Sequence, residues 1–214
     1  MEPRTRQTIL ALKEWLYLAQ AILLAGLTLV VYRPGLHSPF QYDDFASVVE
    51  NRFIAIESLS PQALFSAAFQ NRLQNRPLTN LTFALNYYFN GLDPFGYHMV
   101  NLLALMLTAI GVWVLLHKLM LRLGYDPLRA KFAAWLAALV WALHPVNVMA
   151  VTYITQRHSS FAGMFSIWSV YFCHLAAERP KQGRIFYMLC GLLYLLALLS
   201  KETAAILPAI IFAY

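Results

Sequence analysis

Uninterrupted apolar runs of close to twenty residues constrain the fold of this chain more than any other feature of its sequence. The first, residues 15–32, carries no charged side chain. As a helix rising about 1.5 Å per residue it approaches the roughly 30 Å thickness of a bilayer core. Only 12% of the residues are charged, whereas 60% are hydrophobic, and a soluble domain typically has about a quarter of its residues charged. The sequence therefore predicts that lipid surrounds most of these helices.

The apolar pattern predicts an all-α polytopic membrane protein with about six transmembrane helices. A sixth run, residues 203–214, stops after twelve residues, which is too short to span, so we expect a truncated sixth helix and a longer natural protein. The other four predicted spans cover residues 97–116, 132–143, 149–177 and 185–200.

Two shorter helices are expected in the loop after the first span. Residues 77–90 begin with proline and precede Gly91, as a helix often does. They cover only about 21 Å and include Asn80, Asn86 and Asn90, which favours a helix on the membrane surface.

The second surface helix is predicted from its capping residues. Ser60 is a good N-cap and Pro61 a good first residue. Leu64, Phe65 and Phe69 are expected to share one apolar face of this helix.

The basic residues are distributed unequally between the two sides of the predicted membrane domain, residues 15–214. Residues 1–14 and the loops 118–131 and 178–184 hold ten basic and four acidic residues, a net charge of +6, and the other side holds six of each. By the positive-inside rule the N-terminus is cytoplasmic and residues 33–96 form one long outer loop. A basic excess confined to the cytoplasmic loops gives no reason to expect nucleic acid as a partner.

Two adjacent carboxylates, Asp43 and Asp44, follow Tyr42 early in the outer loop. A carboxylate pair near lipid suits a general base or the coordination of a divalent cation. A solvated turn is the simpler alternative, because aspartate is common in loops.

Further polar residues mark the outer ends of the predicted spans. Arg76 and Lys201 suit phosphate binding, or anchoring at the headgroups. Tyr153 and Arg157 are four apart and would share a helix face. A lone histidine at such an interface more often has a structural role than a catalytic one. The set comprises Arg76, His98, His144, Tyr153, Arg157, Lys201 and Glu202. A carboxylate beside several cations is suited to group transfer from a lipid-linked phosphate.

Several sequence blocks resemble the transmembrane and tetratricopeptide-repeat O-mannosyltransferases and their bacterial relatives. They occur in the family's order and together cover most of the chain. The blocks are Phe40-x-Tyr42-Asp43-Asp44, Arg76-Pro77-Leu78-Thr79, Gly91-Leu92-x-Pro94-x-x-Tyr97-His98-x-x-Asn101, His144-Pro145-Val146, Tyr153-Ile154-x-Gln156-Arg157 and Ser200-Lys201-Glu202.

The resemblance implies a GT-C glycosyltransferase that uses polyprenyl- or dolichyl-phosphate sugars on the non-cytoplasmic side. Asp43 would be the catalytic carboxylate that activates the acceptor, with Asp44 where relatives often have glutamate. Arg157 and Lys201 would bind the donor phosphate. His98 and His144 would shape the packing of the loops. The tetratricopeptide repeats of the family are not present in this sequence.

The sequence thus favours an inverting transfer of a mannose-like hexose from a lipid-linked donor to a hydroxyl on a protein or glycan. No cofactor is firmly indicated, although a divalent cation at Asp43 and Asp44 is compatible with the pattern. The bacterial form of the Gln156-Arg157 block favours a bacterial inner membrane with the active face in the periplasm. In a eukaryote the membrane would be that of the endoplasmic reticulum. A transporter and a non-catalytic membrane scaffold are the alternatives. Ionisable groups at the span ends and the lack of an internal repeat argue against a transporter.

Overall fold

The computed structural model describes residues 3–71 and 73–213, with side chains from residue 15 onward. Arg72 and the charged side chains of residues 1–14, which contribute to the predicted charge asymmetry, lie outside the described residues. The part of the chain described is helical and contains no β-strand, so the all-α prediction is confirmed. Its α-helices are α1 Pro3–Tyr32, α2 Pro61–Phe69, α3 Pro77–Asn90, α4 Pro94–Arg122, α5 Pro127–Ala142, α6 Val148–Thr152, α7 Arg157–Glu178, α8 Gly183–Ser200 and α9 Leu207–Ala213.

The chain is a polytopic α-helical membrane protein. Of the described helices, α5 with the segment that follows it forms a bent pair, Pro127–Ala142 and Pro145–Thr152, with an angle of 53°. This pair would make a fifth span. The apolar helical stretch Glu202–Ala213 is shorter than a membrane span. Four segments are long and apolar enough to cross a membrane without such a bend: Trp15–His37, Pro94–Arg122, Ile154–Glu178 and Pro180–Ser200.

The predicted fourth span differs from the structure. A continuous helix over residues 149–177 was expected, but the chain turns extended at Tyr153, where φ is −112° and ψ is 106°, and α7 begins only at Arg157. The break leaves the backbone N–H groups of Ile154 and Thr155 free to donate to the Asp44 carboxylate. Tyr153 and Arg157 therefore do not share a helix face, and that expectation was wrong.

The two short helices of the first long loop form where the sequence predicts them. Helix α3 covers residues 77–90, and α2 begins after Ser60, whose hydroxyl accepts the Ala63 N–H at 3.3 Å. One detail of α2 differs from the prediction. Leu64 packs on the core, whereas Phe65 and Phe69 contact each other on the exposed side. The helix instead buries Ala67 and Ala68, and Ala67 packs in one core cluster with Phe83 and Ala84 of α3.

Helix α4 is central to the bundle and packs against α5 and α7, and α7 pairs along its length with α8. Gly111 allows the close approach of α4 to α7, since a Cβ atom there would lie 2.9 Å from Ile167 Cγ2. The loop after α1, together with α2 and α3, covers one end of the bundle around a core that includes Ile54, Phe83 and Tyr97.

Candidate functional site

A cleft of about 340 Å³ opens at the covered end of the bundle. It lies between the loop after α1, the start of α3, the break before α7 and the end of α8. Four residues expected at a site meet in it: Asp43, Arg76, Tyr153 and Lys201. The remaining lining residues are Ala46, Ser47, Leu73, Thr155, Gln156, His158 and Ser159.

Asp43 presents an exposed carboxylate to this cleft. The preceding Tyr42 has a φ of +43°, a left-handed conformation that costs a non-glycine residue about 1–2 kcal/mol. The Tyr153 hydroxyl accepts the Asp43 N–H at 3.4 Å, and the rings of Tyr42 and Tyr153 meet edge to face at 6.4 Å. These contacts hold the turn that directs Asp43. No described protein group hydrogen-bonds to its carboxylate, which is therefore open to an incoming hydroxyl.

Asp44 faces the opposite way from Asp43 and is fully buried. Its carboxylate accepts backbone N–H groups from Gln41 at 3.0 Å, Ile154 at 3.4 Å and Thr155 at 2.8 Å. Asp44 thereby fastens the outer loop to the break before α7. A catalytic role was expected from the sequence, but the carboxylate is buried and already hydrogen-bonded by backbone N–H groups.

The two aspartates do not form a cation site of paired carboxylates, because only Asp43 faces the cleft. The described residues include no cluster of three or more His, Cys, Asp or Glu side chains that could hold a metal ion. The donor set thus does not fit the divalent cation considered from the sequence, and no chemical step is assigned to one.

Lys201 brings a positive charge to the cleft. It is half-buried at the end of α8, and its Nζ donates to Ser159 Oγ at 2.8 Å. The Ser159 hydroxyl in turn donates to Gln156 Oε1 at 3.1 Å. In the described part of the chain no carboxylate forms an ion pair with Lys201, so its charge is available to an anion.

Arg76 and Glu202 form a two-point ion pair at the rim. Arg76 Nε donates to one carboxylate oxygen at 3.2 Å, and Nη2 donates to the other at 2.8 Å. Asn75 Nδ2 adds a third hydrogen bond to Glu202, at 3.1 Å. The hydrogen bond from Arg76 lowers the pKa of Glu202 to about 2, so Glu202 stays ionised and compensates part of the Arg76 charge.

Arg157, expected to bind the donor phosphate, does not line the cleft and is completely buried. Its Nε donates to Asn101 Oδ1 at 2.8 Å, and Nη1 donates to Asn86 Oδ1 at 2.7 Å and to Thr82 Oγ1 at 3.2 Å. Nη2 donates to the Tyr97 carbonyl at 2.9 Å. Because its donors already serve the protein, Arg157 joins α3, α4 and α7 instead of facing a ligand.

The two histidines singled out in the sequence lie elsewhere. His98 is buried, with Nδ1 2.8 Å from the Val151 carbonyl oxygen and Nε2 2.9 Å from that of Ser38. His144 caps the turn Pro145–Asn147, where its Nδ1 accepts the Val146 N–H at 3.2 Å. Neither histidine lines the cleft, and each contacts main-chain groups.

His158 was given no role from the sequence, yet it lines the cleft. The expected continuous helix over residues 149–177 hid its position, because the break before α7 sets the direction of this side chain. The sequence did contain an indication, because His158 is an ionisable residue within an apolar run, and such residues are functional candidates.

A second groove, of about 320 Å³, adjoins the cleft and shares Ser159 and Lys201 with it. It continues between α7 and the segment that leads into α9. Beyond the shared residues its lining is small or apolar for the most part: Ala162, Gly163, Ser166, Thr203, Ala204, Ile206, Leu207 and Ile210. A polar cleft and an apolar groove thus meet at Lys201.

Comparison with known proteins identifies relatives of one kind. The chain is 29% identical over 207 residues to protein O-mannosyl-transferase tmtc2 of Xenopus laevis, covering 90% of this chain and 23% of the relative. It is 25% identical over 199 residues to human protein O-mannosyl-transferase TMTC3, covering 86% of this chain and 20% of that protein. It is 39% identical over 101 residues to Drosophila melanogaster protein O-mannosyl-transferase Tmtc3, covering 41% and 11%.

These matches confirm the resemblance to the transmembrane and tetratricopeptide-repeat O-mannosyltransferases. The chain spans about a fifth to a quarter of the length of the first two relatives. No protein-family model matches the chain, and no solved structure matches it.

Proposed function

We propose that this chain carries the active face of a glycosyltransferase. It would move a mannose-like hexose from a polyprenyl-phosphate donor to a hydroxyl of a protein acceptor. The relatives are named protein O-mannosyl-transferases, which supports transfer to protein. The lipid-linked donor is supported by the meeting of a polar cleft with an apolar groove at Lys201.

The observation that carries the proposal is that the Asp43 carboxylate, which no described protein group hydrogen-bonds, and the Lys201 ammonium line one cleft. Asp43 would accept the proton of the acceptor hydroxyl as its oxygen bonds to the anomeric carbon. The bond from that carbon to the phosphate oxygen breaks, and the configuration inverts. Lys201, with Arg76 at the rim, would stabilise the negative charge that develops on the departing lipid phosphate.

The proposal also implies an orientation of the protein in the membrane. The N-terminus would be cytoplasmic, and the cleft would open on the opposite side, the periplasm if the protein resides in a bacterial inner membrane. The charge asymmetry of the loops supports this orientation.

A pair of matched substitutions, Asp43→Asn and Asp44→Asn, tests the assignment of the base. We expect Asp43→Asn to lower the rate of sugar transfer about 10²–10⁴-fold, the usual contribution of a general base, with no loss of thermal stability. Asp44→Asn puts an amide N–H donor where a carboxylate oxygen accepts backbone N–H groups. Because two donors then face each other, this variant should have a lower unfolding temperature. Both rates are measured on the full chain in membranes, with a radiolabelled lipid-linked mannose.

Sugar transfer at the wild-type rate by Asp43→Asn would refute the role of this residue. Uptake of sugar into proteoliposomes that contain no lipid-linked donor would instead favour the transporter alternative.

A further inference from the structure

His158 is buried in the cleft wall, and its imidazole has no hydrogen-bond partner in the described part of the chain. It is 3% exposed, and neither Nδ1 nor Nε2 hydrogen-bonds to a protein group. A buried polar group without a partner costs about 1–3 kcal/mol. Such a group therefore needs an explanation, and its position on the cleft wall indicates that a ligand supplies the partner.

The surroundings of His158 hold the ring in a fixed place. Phe83 meets the imidazole edge to face, with the ring centroids 5.6 Å apart. The preceding residue, Arg157, is anchored by four hydrogen bonds to α3 and α4. The following residue, Ser159, accepts the Lys201 ammonium. The imidazole is thus rigid and lies on the same cleft as the Lys201 charge.

The charges around the ring define the ligand chemistry. The cations of Arg76, Arg157 and Lys201 all act electrostatically on His158, with Glu202 as the opposing acid. Arg76 is paired with Glu202, and Asp43 adds a carboxylate to the cleft. Lys201, which forms no ion pair with a described residue, is therefore the cation that favours an anion here. A neutral imidazole keeps one N–H donor, and a phosphate oxygen is a strong acceptor for it.

We propose that His158 binds the phosphate group of the donor and of the released lipid phosphate, donating its ring N–H to a phosphate oxygen beside Lys201. This inference rests on the proposed function and adds a phosphate-binding residue to it. His158 forms and breaks no covalent bond. It would lower the energy of the departing phosphate together with the Lys201 ammonium.

Equilibrium binding to the full chain in nanodiscs tests this inference. The probes are polyprenyl phosphate, polyprenol of the same chain length and inorganic phosphate. We expect His158→Phe, which keeps the packing on Phe83, to weaken polyprenyl phosphate binding at least tenfold and to leave polyprenol binding unchanged. His158→Asn or His158→Gln, which retain an N–H donor, should restore most of the affinity. His158→Met provides the same comparison if the phenyl ring does not fit.

The matched control is His37→Phe, at an exposed histidine outside the cleft that stacks on Phe95. It should leave binding of all three probes unchanged. Competition by inorganic phosphate would show that the phosphate alone is recognised, and binding of the lipid phosphate alone would show that the tail is needed as well. Either result supports the inference.

The inference fails if His158→Phe binds polyprenyl phosphate as tightly as the wild type, or loses phosphate and polyprenol binding equally. It also fails if the wild type binds no phosphate in either form. A separate sugar-transfer assay on the wild type keeps the two proposals distinguishable. If polyprenyl phosphate binding depends on His158 but the wild type transfers no sugar, the proposed function is refuted and this inference still holds.

Discussion

Arg157 illustrates how the surroundings of one side chain decide its role. Its guanidinium lies 4.5 Å from the centre of the Phe83 ring and donates to two asparagine side chains, Asn86 and Asn101. Asn101 in turn donates to the carbonyls of Tyr153 and Ile154. The arginine therefore stabilises the break that brings Tyr153 and His158 to the cleft, although it does not reach the cleft itself.

Replacing Arg157 should affect folding more than donor recognition. Arg157→Leu orphans the buried side-chain oxygens of Asn86 and Asn101, each at a cost of about 1–3 kcal/mol. We expect a clearly lower unfolding temperature in detergent, with Arg157→Lys intermediate because lysine lacks the planar fork. Surviving protein should keep the wild-type KM for the lipid-linked donor. A stable Arg157→Lys variant with a much higher KM would restore Arg157 to the phosphate site.

At the scale of elements, the parts of the fold encoded locally could be predicted from the sequence. Proline at the first position and a capping residue before it mark the starts of α2, α4 and α5. The break before α7 could not be predicted, because its stabilising contact comes from Asp44, more than a hundred residues earlier in the chain. The residues that depend on this break, Arg157 and His158, are those whose positions differed from expectation or were missed.

The same distinction holds for the candidate site. Asp43, Arg76, Tyr153 and Lys201 were singled out from sequence blocks, and the structure brings them to one cleft. The sequence did not indicate that the neighbouring side chains of Asp43 and Asp44 point in opposite directions. These directions depend on the backbone N–H groups of Ile154 and Thr155, which hold the Asp44 carboxylate on the buried side.

The Arg76–Glu202 ion pair joins the start of α3 to the segment that follows α8, and its effect on stability should depend on pH. Since the pKa of Glu202 is lowered from 4.5 to about 2, its stabilising contribution is complete above about pH 4.5 and is lost as the pH falls towards 2. Glu202→Gln should therefore lower the unfolding temperature at pH 7, and the difference from the wild type should vanish near pH 2.

The expected effect of Glu202→Gln is small, at most about 1 kcal/mol, because the Glu202 side chain is 55% exposed and solvent screens the pair. Thermal unfolding in an acid-stable detergent at several pH values measures it. Glu57→Gln, at an exposed glutamate outside this contact, is the control and should not change the pH dependence. An undiminished difference at pH 2 would contradict the assignment.

At the scale of the whole molecule, the two ends of the bundle differ in character. One end carries the cleft under a cover of short helices. At the other, the ion pair between Lys118 and Glu178, 2.7 Å long, joins the ends of α4 and α7.

The sequence contains one motif for N-glycosylation, the sequon Asn80-Leu81-Thr82. Its acceptor residue, Asn80, is 2% exposed, and the Asn80 amide donates to the carbonyls of Ala68 and Leu73. The sequon is therefore closed to glycosylation once the protein has folded.

Cysteine labelling in intact cells tests the proposed sidedness. In a background with Cys173 and Cys190 replaced by alanine, a membrane-impermeant maleimide should label Ser58→Cys, which lies in the long outer loop. It should label Tyr125→Cys, in the loop between α4 and α5, only after the membrane is opened. Both native positions are exposed to solvent in the structure. The reverse pattern would place the cleft in the cytoplasm and contradict the proposed location.

The hydrogen bonds of Arg157 also bear on how the protein is made. All of its partners, Thr82, Asn86, Tyr97 and Asn101, precede it in the chain. During synthesis these groups leave the ribosome first, so the acceptors of the arginine are already present when it emerges. The N–H donors of its guanidinium can thus be hydrogen-bonded as soon as α7 forms, so the order of the residues along the chain itself favours correct assembly.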